Sequence, residues 1–261
     1  MKRLTILLLW LYLGLTVFTI VSGFLGLRFH PIFTPLLSLL AFLFALAHAS
    51  LRLGWRHALL FLGLTFVISL LFESVGVATG RIYGPYHYTD RLGPRFLGLV
   101  PYLIPVAWFM MMYPSLVIAL NLVPTTQRLW RWRLSLAALG AMIMTAWDLV
   151  MDPLMVALRH WVWEADGAYF GIPLQNYAGW WLTTFTIFAL FIVLARLKPA
   201  ISRQANPTFD RLAVLSYAAT GAGNIIAALL GGLGGPALVG LFAMTPWAAI
   251  AWWNTRRPWR G

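Results

Sequence analysis

The sequence predicts an all-α membrane protein, a polytopic transmembrane helix bundle with about eight spans. Hydrophobic residues make up 61% of the 261 residues, charged residues only 10%, and the mean hydropathy is +0.80. Soluble domains are about 45–50% apolar and about 25% charged, so the composition excludes a soluble or disordered chain. One crossing needs about 20 apolar residues, so the length fits a single transmembrane domain over residues 1–261.

Eight apolar stretches account for these spans in chain order. The first follows Met1, Lys2 and Arg3. We interpret it as a membrane anchor, because it is too long for a signal peptide and has no clear cleavage site. The longer connections fall at 80–96, 121–133 and 159–177. The predicted spans cover about 4–27, 31–50, 56–79, 97–120, 134–158, 178–197, 211–231 and 236–253.

The basic residues predict the orientation of the bundle. With a cytoplasmic N-terminus, 14 of the 19 Lys and Arg residues lie on the inner side. The other five lie outside: Arg28, Arg81, Arg91, Arg95 and Arg159. The positive-inside rule therefore predicts a multi-pass protein of the cell membrane with both termini in the cytoplasm. The net charge of +12 is then explained by topology, and we expect the lipid bilayer as a partner and no nucleic acid.

The chain has no cysteine, which excludes disulfides, thiolate metal sites and thiol nucleophiles. His30, His48 and His57 do not have the mutual spacing of the histidine boxes of membrane di-iron enzymes. We therefore expect no cofactor and no metal.

Three acidic residues, Glu73, Asp148 and Asp152, fall inside apolar spans. A carboxylate at the centre of a membrane costs about 2.5–3.5 kcal/mol on insertion scales, so three of them indicate a functional site. Asp148 and Asp152 are four residues apart, which places them on one helical face about 6 Å apart along the axis. The structural alternative is that each carboxylate pairs with an arginine or caps a neighbouring helix.

Two further spans carry polar residues at the same four-residue spacing. These are Thr65, Ser69 and Glu73 in the third span, and Ser216, Thr220 and Asn224 in the seventh. In the predicted orientation, Glu73 and Asp152 each lie six residues before the outer end of their span, and Asn224 lies seven before it. The depth is about 9 Å, which predicts one shared site towards the outer leaflet.

The outer connections are rich in aromatic residues. An interfacial aromatic belt explains most of the tryptophans. The Gly-Pro turn and the histidine between two tyrosines in the first long connection are typical of a lid instead. The candidates for positioning substrate or water are Tyr83, Tyr86, His87, Trp147, Asn176 and Asn224.

Several segments together resemble the CruF-type carotenoid hydratases, which are integral membrane proteins of carotenoid biosynthesis. They are FESVG (72–76), GRIYGPYHY (80–88), WDLVMDP (147–153), Trp163, GIPLQNY (171–177) and the Gly179-Trp180 pair. The resemblance implies a hydro-lyase that adds water across the terminal 1,2 double bond of an acyclic carotenoid to give a tertiary alcohol. It also implies a hydrophobic carotenoid substrate and, as candidate partners, other enzymes of the same pathway.

The chemistry implied by this resemblance suits the three carboxyl groups. A protonated carboxyl can protonate the alkene, aromatic faces can stabilise the resulting cation, and a second carboxylate can take a proton from water. We assign the acid role to Asp148, which lies one turn deeper, and the base role to Asp152 or Glu73. No redox cofactor is needed.

Two alternatives remain. Asp148-x-x-x-Asp152 also resembles the second aspartate motif of UbiA-type prenyltransferases and cyclases, which bind an isoprenoid diphosphate through magnesium. That reaction needs a further acidic motif, for which Glu73 is the only candidate. A non-enzymatic alternative is a proton-coupled transporter with a carboxylate relay, although the sequence shows no internal repeat.

Overall fold

The structure, a computed structural model, describes residues 1–27, 32–203 and 206–255. Within these residues, eight helices are long and apolar enough to cross a membrane, which confirms the predicted bundle. A ninth helix, α7 (Ala200–Arg203), is a single turn. The spanning helices are α1 (Lys2–Phe24), α2 (Phe33–Leu53), α3 (Trp55–Thr79), α4 (Leu103–Leu122), α5 (Leu129–Ala157), α6 (Leu174–Leu194), α8 (Pro207–Leu230) and α9 (Gly234–Asn254).

Most helix boundaries differ from the predicted spans by a few residues, and the fourth differs most. Its helix begins at Leu103 rather than near 97, because two short antiparallel strands precede it, β2 (Arg95–Phe96) and β3 (Val100–Pro101). Between α2 and α3 there is only Gly54, whose φ of 83° lies in the region that favours glycine. His30, Arg28, Arg256, Arg257 and Arg260 lie outside the described residues.

Helix α4 is the centre of the bundle. Of its most apolar window, 83% is buried, the highest share among the eight spanning helices. It packs against α2, α3, α5, α8 and α9. A helix that is apolar on all sides is expected at such a central position, with the more exposed helices facing lipid.

A buried polar cluster ties α2, α4 and α8 together at one end of the bundle. Arg52 Nε donates to Asp210 Oδ1 at 2.8 Å, and both side chains are almost fully buried. Asn121 Nδ2 donates to the other carboxylate oxygen of Asp210 at 3.3 Å. A buried ion pair is tolerated only with such further hydrogen bonds, so the cluster fixes the relative positions of these three helices.

At the opposite end, the connections after α3 and α5 form a two-stranded antiparallel ribbon. Strand β1 (Tyr86–Tyr88) pairs with β4 (Trp161–Trp163), with Tyr86 opposite Trp163 and Tyr88 opposite Trp161. The sequence-based fold contained no strands. The ribbon matters for the site, because it brings two distant aromatic segments to the same end of the bundle.

The predicted orientation can be tested because the chain has no cysteine. A single cysteine at Asp90, in the connection after α3, should react with a membrane-impermeant maleimide in intact cells. The matched variant Thr126→Cys, in the exposed connection between α4 and α5, should react only after permeabilisation. The reverse pattern would contradict the positive-inside orientation and place the ribbon in the cytoplasm.

Candidate active site

A cavity of about 490 Å³ lies beneath the ribbon. Its volume is within the range of about 300–1,000 Å³ that is typical of small-molecule sites. Most of its wall is apolar. Its polar lining includes Glu73 on α3, Asp152 on α5, Asn176 on α6 and Asn224 on α8, so the polar residues that were predicted to share one depth do line one cavity.

Glu73 is held by three aromatic donors. Tyr86 Oη and Tyr88 Oη both donate to Oε2, the latter at 2.8 Å, and Trp108 Nε1 donates to Oε1 at 3.1 Å. Burial and the negative charge of Glu73 raise the pKa of Tyr86 and of Tyr88 well above 10. Both phenols therefore remain neutral hydrogen-bond donors over the whole physiological pH range.

Asp152 is also held by donors from aromatic rings. Trp161 Nε1 donates to Oδ1 at 2.7 Å, and Trp163 Nε1 donates to the same oxygen at 3.3 Å. Asn176 Nδ2 donates to Oδ2 at 2.8 Å. An indole N–H can only donate, so Oδ1 is fixed as an acceptor, and a proton on Asp152 can reside only on Oδ2, which has a single donor.

The pairing of β1 with β4 connects the environments of the two carboxyl groups. The Tyr86 and Trp163 rings are 5.0 Å apart, and the Tyr88 and Trp161 rings are 5.8 Å apart. The tyrosines of the ribbon therefore bind Glu73 while its tryptophans bind Asp152. One aromatic face of the ribbon therefore contacts both groups.

Asp148 lies behind the cavity wall. It is fully buried, it does not line the cavity, and its Oδ2 accepts from the same Asn176 Nδ2 at 2.7 Å. Its Oδ1 has no hydrogen-bond partner among the residues that the structure describes. Asn176 thus joins two carboxyl groups, of which only Asp152 lines the cavity. This geometry argues against direct proton delivery by Asp148.

A row of tryptophans connects the Glu73 side of the cavity to Asn224. Trp108 stacks on Trp180 with ring centroids 4.3 Å apart, and Trp180 meets Trp147 edge to face at 5.9 Å. Trp147 Nε1 then donates to Asn224 Oδ1 at 2.6 Å. All three tryptophans line the cavity, so together with the ribbon they enclose it in aromatic faces.

Tyr83 fixes the chain as it leaves α3. Its hydroxyl is 2.8 Å from Thr183 Oγ1. Its ring lies between Gly76 and Gly179, where a Cβ atom on either glycine would come within 2.6 Å of a ring carbon. These two glycines belong to the segments that carry the family resemblance, and close packing of Tyr83 is the physical reason for their small size.

The prediction for His87 is not supported by its position. Side chains alternate along a strand, so Tyr86 and Tyr88 face the site while His87 faces away from it. Its side chain is 54% exposed and its Nδ1 lies 3.1 Å from Glu164 Oε1. The other five positioning candidates line the cavity: Tyr83, Tyr86, Trp147, Asn176 and Asn224.

The predicted site residues did not include several residues that line the cavity. Tyr88, Trp108, Trp161 and Trp163 donate to the carboxyl groups, and Trp180 completes the row of rings. The available signal was the pair of alternating segments Tyr-His-Tyr and Trp-Val-Trp, which predicts a short ribbon with two aromatic residues of each strand on one face.

The carboxyl groups of the site are not paired with arginine, which was one form of the structural alternative. Within the described residues, Arg52 pairs with Asp210, Arg95 with Asp90, and His87 contacts Glu164, and none of these contacts includes the three acids of the site. The same part of the chain holds no group of three or more His, Cys, Asp or Glu side chains that could bind a metal ion.

Comparison with known protein families shows to which family the chain belongs. The profile of the family described as carotenoid biosynthesis protein matches residues 33–246. The chain belongs to this family. All the helices that line the cavity fall within the match except α1, so the carboxyl groups, the ribbon and the row of tryptophans are features of the matched region.

A relative from Haloarcula japonica, named bisanhydrobacterioruberin hydratase, is 38% identical to this chain over 124 residues. The aligned segment covers 46% of this chain and 39% of the relative, so the comparison spans less than half of either protein. No solved structure matched the chain.

Proposed function

We propose that this protein is a carotenoid hydratase that adds water to the terminal 1,2 double bond of an acyclic carotenoid. One observation carries the proposal. Glu73 and Asp152 both line one apolar cavity enclosed by aromatic rings, inside a helix bundle that spans a membrane. Membership of a carotenoid biosynthesis family and similarity to a protein named as a hydratase support the same reaction.

The first step of the proposed mechanism is protonation of the alkene. Two carboxyl groups joined by Asn176 do not both ionise easily, so the pair of Asp148 and Asp152 retains one proton. Asp152 delivers that proton, because it is the member that lines the cavity. Its O–H bond breaks, a C–H bond forms at C2, and a tertiary cation develops at C1. Asp148 acts behind it as a positioning residue.

Aromatic faces stabilise this cation. The rings of Trp108, Trp147 and Trp180 line the cavity and present π-electrons to a positive charge without forming a bond to it. A water molecule then attacks C1, Glu73 takes the proton that this water loses, and the tertiary alcohol forms. The proton returns from Glu73 to the aspartate pair, so the sum of the steps is alkene plus water to alcohol.

The substrate enters from the bilayer in this proposal. Gly23 on α1 and Leu230 on α8 line the cavity and are also exposed on the surface of the bundle, where lipid would lie. A carotenoid is too large to be enclosed whole in a cavity of about 490 Å³. It therefore enters end first, and only its reacting end is enclosed. With the positive-inside orientation, the site faces the outer leaflet.

Expression in a lycopene-producing host tests the function directly. We expect the extracted pigment to gain the mass of one or two water molecules, in an amount that follows the level of the protein. The same host without the chain is the control. A gain of a prenyl unit would contradict hydration and favour the prenyltransferase alternative, while unchanged pigment at a normal protein level would contradict both.

Removal of metal ions should leave hydration unchanged. Oδ1 and Oδ2 of Asp152 already accept N–H donors, which repel a cation at the same lone pairs. We therefore expect full conversion of lycopene by the purified protein in EDTA, measured by chromatography. Loss of activity with EDTA and its recovery with magnesium would contradict the mechanism, because a prenyltransferase needs magnesium to bind diphosphate.

A further inference from the structure

One wall of the cavity carries polar groups that the proposed mechanism does not use. Tyr12 and Thr16 on α1 and Thr220 and Asn224 on α8 all line the cavity. Tyr12 is buried deep in the bundle, and Tyr12 Oη lies 2.7 Å from Thr220 Oγ1. These groups are unusual in a wall that is otherwise apolar, and some of their hydrogen-bonding atoms remain available.

The hydroxyl hydrogens of this wall are all used. Thr220 Oγ1 donates to the carbonyl oxygen of Ser216 at 2.9 Å. A hydroxyl group has one hydrogen, so in the contact between Tyr12 and Thr220 the phenol must be the donor. Thr16 Oγ1 donates to the backbone carbonyl of Tyr12 at 2.9 Å. The side chain of Thr16 also lies near the phenol, but its hydrogen is used for that backbone carbonyl. Among the described residues, the phenolic oxygen of Tyr12 is therefore left as an acceptor with no hydroxyl hydrogen donated to it.

Asn224 is left as a donor. Its Oδ1 accepts from Trp147 Nε1 at 2.6 Å, and an indole N–H can only donate, so the amide cannot be flipped. The NH2 group is then the free end of the side chain. Within the part of the chain that the structure describes, Nδ2 of Asn224 donates to no protein atom. Thr220 lies one helical turn before it, about 6 Å along the axis of α8.

We propose that Tyr12 and Asn224 form a binding subsite for an alcohol oxygen, the hydroxyl of the hydrated carotenoid end. A hydroxyl group accepts from Asn224 Nδ2 and donates to Tyr12 Oη, whereas a hydrocarbon end can do neither. This inference rests on the proposed hydratase function. Asn224 is hydrogen-bonded to Trp147, one of the rings assigned to the cation, so the subsite lies beside the place where the tertiary alcohol forms.

Paired ligands test the subsite without turnover. The probes are lycopene and its 1-hydroxy derivative, and binding to the detergent-solubilised full chain is measured by quenching of its tryptophan fluorescence. We expect Tyr12→Phe and Asn224→Asp each to weaken binding of the alcohol about 3–10-fold, as for loss of one hydrogen bond, and to leave lycopene binding unchanged. Asn224→Asp replaces the NH2 group but keeps an oxygen that accepts from Trp147 Nε1, so the ring stays in place.

Thr19→Val is the matched control. Thr19 also lines the cavity, but its hydroxyl donates to the carbonyl oxygen of Thr16 on its own helix, so neither ligand should be affected. The subsite is overturned if the Tyr12 and Asn224 variants bind the alcohol as the wild type does, or if they lose both ligands equally. Wild-type protein that binds lycopene but never hydrates it would count against the proposed function instead.

Discussion

The substitution Asp152→Asn is expected to lower the rate of carotenoid hydration by about 10²–10⁴-fold, the usual contribution of a general acid. The substitution keeps the shape of the side chain but removes the proton that protonates C2. It should not disturb the fold. Oδ1 of the new asparagine can still accept from Trp161 and Trp163. The amide of Asn176 can rotate to present its oxygen both to the new NH2 group and to Asp148, which then carries the proton at Oδ2.

The measurement is conversion of lycopene per unit of protein in isolated membranes, with protein level followed by immunoblot. Asp166→Asn is the matched control, because Asp166 is an exposed residue of the connection before α6. Asp148→Asn should also lose activity, since it removes the group that shares a proton with Asp152. If Asp148→Asn and Asp152→Asn both convert lycopene at near-wild-type rates, the pair is structural. A larger loss for Asp148→Asn would favour the sequence-based assignment of Asp148 as the acid.

The spans and the carboxyl groups could be predicted from the sequence because both depend on local properties. A run of about 20 apolar residues indicates a crossing whatever the tertiary structure is. Glu73, Asp148 and Asp152 stand out inside such runs because a buried charge is costly in a membrane. Counting residues along helices predicted to run in the same direction placed Glu73, Asp152 and Asn224 at one depth, and all three line one cavity.

The ribbon could not be predicted in this way, because it joins segments that are about 75 residues apart in the sequence. Trp161 and Trp163 resembled members of an interfacial belt until the pairing of β1 with β4 placed them over Asp152. The position of two residues on one helical face was also insufficient to predict which of them lines the cavity. Asp148 and Asp152 are one turn apart as predicted, but only the packing of α6 puts Asn176 between Asp148 and the cavity.

The substitution Glu73→Gln is also expected to lower the rate of hydration by about 10²–10⁴-fold, because the attacking water then has no carboxylate to take its proton. The amide oxygen of glutamine can still accept from Tyr86 and Tyr88, so the ribbon should stay closed over the cavity, although Trp108 Nε1 loses its acceptor. Tyr88→Phe is the matched comparison. It removes one donor but keeps the carboxylate, and we expect a much smaller loss than for Glu73→Gln.

Deuterium exchange separates this step from alkene protonation. In D2O, Glu73→Gln retains the acid Asp152, so the cation should still form and lose a proton again. Recovered lycopene should then contain deuterium at the reacting end, measured by mass spectrometry, although little alcohol forms. Asp152→Asn should abolish both exchange and hydration, because no cation forms. Hydration by Glu73→Gln at the wild-type rate, or deuterium exchange by Asp152→Asn at that rate, would show that the acid and base roles are assigned wrongly.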